Sequence, residues 1–221
     1  MSRDRQKAYG SSFRLKRFAI VKRMIEDIIA KKGHCKIIDV GGEFNYWKQY
    51  LDQLEGLPIE VLIGNIDDRS VPFSDPRFTG TYANACDLSF AATGSFDLAH
   101  SNSVIEHVGR WKEMKKMADE IRRVANAYYV QTPYYWFPME PHYRTIGYHW
   151  LPESWRARLL TWRSMGYFPK ATDFNLAMEY VNDSILIDRL QMKTLFPDAQ
   201  HSNERVFGLT KSLIATREFS A

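Results

Sequence analysis

The run Lys36-Ile37-Ile38-Asp39-Val40-Gly41-Gly42 constrains this chain more than any other segment. An apolar stretch ends in an acid and then two glycines. A strand that is apolar on both faces belongs inside a parallel sheet, and its tip delivers backbone and carboxylate together to a ligand. A phosphate site favours glycines at such a turn, because phosphate takes bare N–H groups and is repelled by a carboxylate. Asp39 therefore suits a ligand that carries positive charge. A second run of the same kind follows in Phe96-Asp97-Leu98-Ala99-His100-Ser101-Asn102.

Around these two runs, strand and helix patterns alternate. Residues 13–32 carry Phe18, Val21, Ile25, Ile28 and Ile29 at helical spacing, with Lys and Arg opposite, and Gly33 stops the pattern. Strands are predicted at 36–40, 59–66, 82–88, 96–101 and 128–132. Helices are predicted at 46–55 and 110–125, the latter with Trp111, Met114, Met117, Ala118, Ile121 and Val124 on one stripe. This order predicts an α/β fold: a doubly wound, Rossmann-like sheet, mostly parallel, with helices on both faces.

After Pro133 the composition changes. Residues 133–155 hold four prolines among Tyr134, Tyr135, Trp136, Phe137, Tyr143, Tyr148, Trp150 and Trp155. Linkers lack such aromatics, so a packed insertion or lid is expected over about 133–196. Helical patterns recur at 159–165 and 182–195. Segments 199–202 and 212–216 suit a closing antiparallel pair, which completes a seven-stranded sheet. The expected organisation is an N-terminal helical segment, 1–35, covering the sheet of a domain that spans 36–221.

Composition narrows the class. The chain has 221 residues, 45% of them hydrophobic, enough for one substantial core. A formal net charge of +4 permits a nucleic-acid partner without demanding one. Much of the basic excess lies in the first 36 residues, where a solvated helix face accounts for it. Cys35 and Cys86 are the only cysteines; they make neither a disulfide framework nor a zinc set, and a reducing compartment fits. The first residues lead into a basic amphipathic segment rather than an apolar signal core, and no apolar run is long enough to span a bilayer. A cytoplasmic protein without membrane attachment is expected.

The strand tips offer carboxylates, amides and hydroxyls: Asp39-Val40-Gly41-Gly42, Asn65-Ile66-Asp67, Cys86-Asp87-Leu88, Ser101-Asn102-Ser103 and Gln131-Thr132-Pro133. No phosphate-binding lysine loop and no three-glycine dinucleotide fingerprint is present. A nucleoside bearing an amino acid fits these tips better. Asp39 could alternatively cap the next helix, and Asp87 could be an ordinary turn residue. Asp97 opens its strand and is read as a turn or cap residue outside the site.

These tips, with Ser101-Asn102-Ser103-Val104-Ile105-Glu106-His107-Val108 and Gln131-Thr132-Pro133-Tyr134-Tyr135-Trp136-Phe137-Pro138-Met139-Glu140-Pro141-His142, resemble the class I S-adenosylmethionine-dependent methyltransferases. The likeness is to the bacterial small-molecule branch and covers about 36–142. It implies S-adenosylmethionine as cofactor, S-adenosylhomocysteine as product and a small-molecule acceptor. By this resemblance Asp39 lies near the methionine amino group and sulfonium, with Gly41 and Gly42 admitting the methionine portion. Asn65 or Asp67 bonds the ribose hydroxyls. Asp87 meets the adenine amino group, beside the Cys86 and Leu88 backbone. Ser101 and Asn102 flank the methionyl moiety. The family's loop has glycine at alternate positions; here Glu43 and Asn45 stand at the second and third. Asn tolerates the left-handed region such a turn can need.

Methyl transfer needs a general base only when the acceptor is protonated. His107 and His142 are the catalytic candidates, since imidazole titrates near neutrality. The spacing of Glu140, His142 and His149 matches no closed zinc pattern, so no metal is expected. Two other readings stay open. A nucleic-acid methyltransferase would need a basic, aromatic track, and no recognition module or Asn/Asp-Pro-Pro-aromatic tetrapeptide is present. A non-catalytic interaction subunit of the same fold is the third, motivated by Glu43 and Asn45.

Overall fold

A computed structural model describes residues 3–66 and 74–220, with side chains from residue 13 onward. The chain runs α1 (Arg3–Lys32), β1 (Cys35–Val40), α2 (Phe44–Lys48), β2 (Ile59–Asn65), β3 (Phe78–Tyr82), β4 (Phe96–Asn102), α3 (Trp111–Val124) and β5 (Ala125–Pro133). It continues through β6 (Met139–Glu140), β7 (Thr145–Ile146), α4 (Glu153–Trp162), α5 (Phe174–Asn182), α6 (Arg189–Leu195), β8 (Gln200–Val206) and β9 (Leu209–Arg217). The main sheet has seven strands in the order β3-β2-β1-β4-β5-β9-β8, and β6 with β7 forms a separate antiparallel ribbon. β1 pairs in parallel with both β2 and β4, which puts its tip where the strand order reverses. β8 and β9 are joined by Phe207-Gly208, both at positive φ, a two-residue hairpin turn. The predicted doubly wound, mostly parallel sheet closed by an antiparallel pair is the fold observed.

Several boundaries differ from the sequence expectation, each for a local reason. The strand expected at 82–88 is instead β3 at 78–82, paired with β2 through Asn65↔Tyr82. Residues 84–88 turn, because Asn84 and Asp87 bond their own backbone at Cys86 and Ser89 rather than a ladder. The helix expected at 46–55 breaks into α2 and a 3₁₀ turn at Leu51–Leu54. The helix expected at 182–195 is two, because Asp188 opens a new one with a capping box to Gln191. The helix expected at 159–165 is α4, which starts earlier, after Pro152.

The chain falls into two compact units. Unit 1 comprises 1–102, 119–130 and 216–221. Its core joins Phe18, Val21, Ile25 and Ile28 of α1 to Ile37, Ile38 and Val40 of β1, Val61 and Ile63 of β2, and Leu98 and Ala99 of β4, all buried. α1 is thus part of the packed unit: Phe18 stacks on Tyr50 at 3.8 Å, while Arg14, Lys16 and Arg23 stay in solvent. Asp97 belongs to this frame. It is buried, pairs with Lys32 and accepts a hydrogen bond from the Lys36 N–H. Unit 2 comprises 103–118 and 131–215, so the aromatic segment expected as an insertion at 133–196 forms part of a larger body. Tyr143, Tyr148, Ala157, Leu160, Met165, Ala177 and Val181 make a core within it. No described helix is long and apolar enough to cross a membrane.

Candidate functional site

At the tip of β1 the chain needs two glycines for two reasons. Gly41 has φ +73 and its N–H donates to Gly64 O at 2.7 Å, closing the turn in the left-handed region. Gly42 lies against Asp39: a Cβ there would sit 1.7 Å from Oδ2. The next residue, Glu43, is extended (φ −133°, ψ 143°), and α2 starts at Phe44. Asn45 is therefore helical, and no left-handed conformation is asked of it. The loop turns into its helix after two glycines, which is why Glu43 and Asn45 are tolerated, both with their side chains in solvent.

Asp39 is not open to a ligand in the way the sequence suggested. It is 1% exposed, and both oxygens are taken. Oδ2 accepts from Trp47 Nε1 at 2.7 Å, and Oδ1 meets His100 Nδ1 at 2.6 Å. His100 is itself 1% exposed, stacked between Tyr46 and Tyr129. This carboxylate ties the β1 tip to Trp47 of α2 and His100 of β4.

The other predicted residues of unit 1 divide into two groups. Asn65 bridges the tip of β2 to the loop, its Nδ2 donating to Gly42 O at 2.9 Å. Asp67 lies outside the described residues. Cys86 is half-buried and its N–H donates to Asn84 Oδ1. Asp87 is exposed, with Oδ1 accepting from Ser89 N–H at 3.1 Å. Leu88 was expected to present its backbone to a ligand, and it does not. Its side chain is fully buried, its N–H donates to Glu120 Oε2 at 2.6 Å, and its carbonyl accepts from Arg123. Ser101 is likewise internal, with Oγ donating to Val40 O at 3.1 Å. Asn102 accepts from Arg17 Nη1 at 3.1 Å.

Sequence reasoning missed five residues that build this region. Trp47 and His100 hold Asp39. Glu120 and Arg123 of α3 clamp the 84–91 turn from beneath, with Arg123 also reaching Ala91 O. Asn84, exposed and the first side-chain amide after β3, stands where Asp87 was expected. An imidazole directly after Leu98 and Ala99 in mid-strand, His100, was the one available signal. Ile66 and Tyr82 follow the same two strand ends with 66% and 65% of their surface exposed. This exposed apolar surface stands beside Asn65, which pairs with Tyr82 in the sheet. A cavity of about 510 Å³ also exists in unit 1, lined by Lys36, Glu60, Arg77 and Phe96. It lies at the opposite, amino ends of the strands, the edge that open α/β sheets do not use for ligands.

Unit 2 holds the two candidate imidazoles, and here the structure brings residues together. Ile105–His107 is a 3₁₀ turn that buries Glu106 completely. Its Oε2 accepts from Thr132 Oγ1 at 2.9 Å, while Oε1 has no hydrogen-bond partner among the described residues. Burial raises the Glu106 carboxyl above its ordinary range, against the opposing charge of His107. His107 Nδ1 meets Asp183 O at 2.8 Å, and the His107 and His142 rings are perpendicular at 4.8 Å. Burial lowers the His107 imidazole, but the Asp183 hydrogen bond and the Glu106 charge outweigh it and the net direction is up. His142 Nδ1 meets Glu140 Oε1 at 2.8 Å, and Glu140 Oε2 accepts from Tyr143 N–H. His149 is turned elsewhere, its Nε2 on Tyr135 O at 2.6 Å.

Residues 38–127 match the family model of the methyltransferase domain. No curated protein sequence matches the chain. Among solved structures, magnesium protoporphyrin IX methyltransferase of Synechocystis PCC 6803, with bound S-adenosylhomocysteine, is similar at TM-score 0.51 and 13% identity, over 99% of this chain and 89% of that one. Phosphoethanolamine N-methyltransferase 2 of Haemonchus contortus is similar at TM-score 0.52 and 15% identity, over 85% of this chain and 38% of that one. A Rhodobacter sphaeroides protein named as a zinc-dependent alcohol dehydrogenase is similar at TM-score 0.53 and 9% identity, over 85% and 84%. At such identities these likenesses speak for the fold, whose chemistry varies between hosts. The matched stretch runs through β1, β2, β3 and β4, whose tips build the loop site. Residues 38–127 thus match a methyltransferase domain, and the chain shares its fold with solved methyltransferases.

Proposed function

We propose that the protein transfers a methyl group from S-adenosylmethionine to a small-molecule acceptor, a reaction of the EC 2.1.1 type that releases S-adenosylhomocysteine. One observation carries the reading. The family match over 38–127 covers the strands whose ends gather Gly41, Gly42, Asn65 and Asn84 within one compact unit. When bound, the cofactor's sulfonium supplies an activated methyl carbon: an acceptor lone pair forms the new bond, and the broken bond's electron pair stays on sulfur.

The chain's own residues then have distinct tasks. Gly41 and Gly42 let backbone approach the methionine portion. Asp39 holds that loop through Trp47 and His100 rather than by contact. Asn65 or Asp67 is assigned to the ribose, and Asn84 with the Cys86–Asp87 turn to adenine. Ile66 and Tyr82 offer the ring an apolar bed. Asn102 is assigned to the methionyl end. Unit 2 is assigned the acceptor. His107 and His142 can take a proton from a hydroxyl or ammonium acceptor, and half-exposed Trp136 and Trp150 offer apolar surface. A small molecule is favoured over nucleic acid because α1, the most basic element, buries its described aromatics Phe13 and Phe18 and so presents no stacking platform. Cys35 and Cys86, neither in a disulfide, fit a cytoplasmic setting.

Calorimetric titration with S-adenosylhomocysteine tests the reading. One-to-one binding is expected, and Gly42→Ala should weaken it at least about tenfold, since the new methyl group displaces the Asp39 carboxylate. Absence of binding to the folded wild-type chain would sink the proposal. Salt-sensitive binding of RNA or DNA would favour the nucleic-acid reading instead.

A further inference from the structure

One cluster in unit 2 has more organisation than acceptor binding requires. Donor atoms of Glu106, His107 and His142 lie within 4.8 Å of one another. Glu106 is 0% exposed, and its Oε1 has no hydrogen-bond partner among the described residues. A buried carboxylate oxygen left bare is costly unless a cation meets it.

The imidazoles are already set for that role. A backbone carbonyl can only accept, so the His107 Nδ1 that faces Asp183 O must carry the hydrogen, and Nε2 keeps the ring's lone pair. Glu140 is 1% exposed, and its Oε1 fixes His142 in the same way through Nδ1. Ring N–H to carbonyl and ring N–H to carboxylate are the outer contacts that orient metal-binding histidines. The segment bearing His142 is itself pinned. Tyr167 N–H donates to His142 O at 2.9 Å, and Gly166 lies so close that a Cβ would sit 2.1 Å from that oxygen.

We propose that Glu106, His107 and His142 bind a divalent transition-metal ion of the zinc class, with Glu140 and the Asp183 carbonyl orienting the imidazoles. Two imidazoles and one carboxylate suit such an ion and leave coordination positions open. Bonds of about 2.1 Å would set neighbouring ligand atoms roughly 3 to 3.5 Å apart, which side-chain rotation reaches from the present spacing. The open positions would accept an oxygen of the acceptor or water. The ion would then do the work otherwise given to a general base, by favouring the ionised form of a bound hydroxyl. The two histidines would be ligands, and a methyl acceptor with a hydroxyl group would be the class favoured.

The full chain is freed of metal with a chelator and titrated with zinc chloride by calorimetry, then with cobalt chloride by visible absorption. One-to-one zinc binding and ligand-field bands from cobalt are expected. His107→Gln and His142→Gln should each weaken zinc at least about tenfold, with melting temperature as the folding control. His34→Gln, which alters an exposed histidine of unit 1, should leave binding unchanged. The idea is overturned if the folded wild-type chain shows no stoichiometric zinc binding and no cobalt bands. It is overturned equally if His34→Gln loses as much affinity as His142→Gln. S-adenosylhomocysteine titrated into the chelated protein reports the cofactor site separately, so failure of either proposal is distinguishable from failure of the other.

Discussion

A carboxylate held at 1% exposure is stable only if its oxygens are answered, and Asp39 is answered twice, by Trp47 and His100. Removing it leaves two buried N–H donors bare. Asp39→Ala is therefore expected to destabilise the fold by about 3–5 kcal/mol, as breaking a buried pair from one side does. Asp39→Asn keeps an acceptor for Trp47 and should cost roughly 1–2 kcal/mol. Urea denaturation of both variants checks the ordering. A loss under about 1 kcal/mol for the alanine variant would show that the carboxylate holds nothing. Cofactor affinity measured on Asp39→Ala alone would mix loss of fold with loss of contact, and Gly42→Ala, whose Cβ meets the same carboxylate, needs its melting temperature as a folding control.

At the scale of elements, the later half of α3 supports the turn after β3. Glu120 accepts from Leu88 N–H, and Arg123 donates to Leu88 O and Ala91 O while pairing with Glu120 at 2.7 Å. One helix edge thus sets the turn that carries Asn84 and Asp87. The Arg123 hydrogen bond holds the Glu120 carboxyl below its usual range, against the desolvation that would raise it. A group with a depressed folded pKa stabilises above its unfolded value, about 4.3, and loses that contribution as pH falls through the folded value. Glu120→Gln should therefore lower the melting temperature at pH 7, by an interaction worth about 1 kcal/mol, and bring a smaller deficit as pH falls toward 3. An equal deficit at both values would argue that the charge is irrelevant. The same variant should weaken S-adenosylhomocysteine, because the turn loses its anchor.

At the scale of the whole molecule, the residues assigned to the cofactor fall in unit 1 and those assigned to acceptor or metal in unit 2. A ligand of unit 1 should register there. At 100 times its dissociation constant, S-adenosylhomocysteine should stabilise the protein by about 2.7 kcal/mol. Hydrogen exchange should slow at the 41–43 and 84–90 loops of unit 1. Slowing confined to amides of unit 2 would reassign the site.

How much of this was legible depended on the range of the interactions. The doubly wound sheet, the β1 tip and the Gly41-Gly42 turn were readable, because strand periodicity and the glycine requirement are local properties of the chain. The pairing of Asn84 with its own backbone and the capping box at Asp188 were also local, yet they lay inside segments whose apolar content read as strand or helix. The partners of Asp39 were not readable. Trp47 is eight residues away and His100 sixty-one, and only the parallel pairing of β1 with β4 brings His100 beneath the tip. The Glu106–His107–His142 cluster was hidden for the same reason. No fixed spacing joins a 3₁₀ turn to a loop thirty-odd residues on, and the fixed tautomers depend on Asp183 and Glu140. The sequence by itself determined the doubly wound sheet and the glycine turn at the β1 tip, since these follow from hydrophobic period and turn chemistry. Only the tertiary structure decided which polar groups hold one another and which are left free to act, because hydrogen bonding is a property of distance in space rather than along the chain.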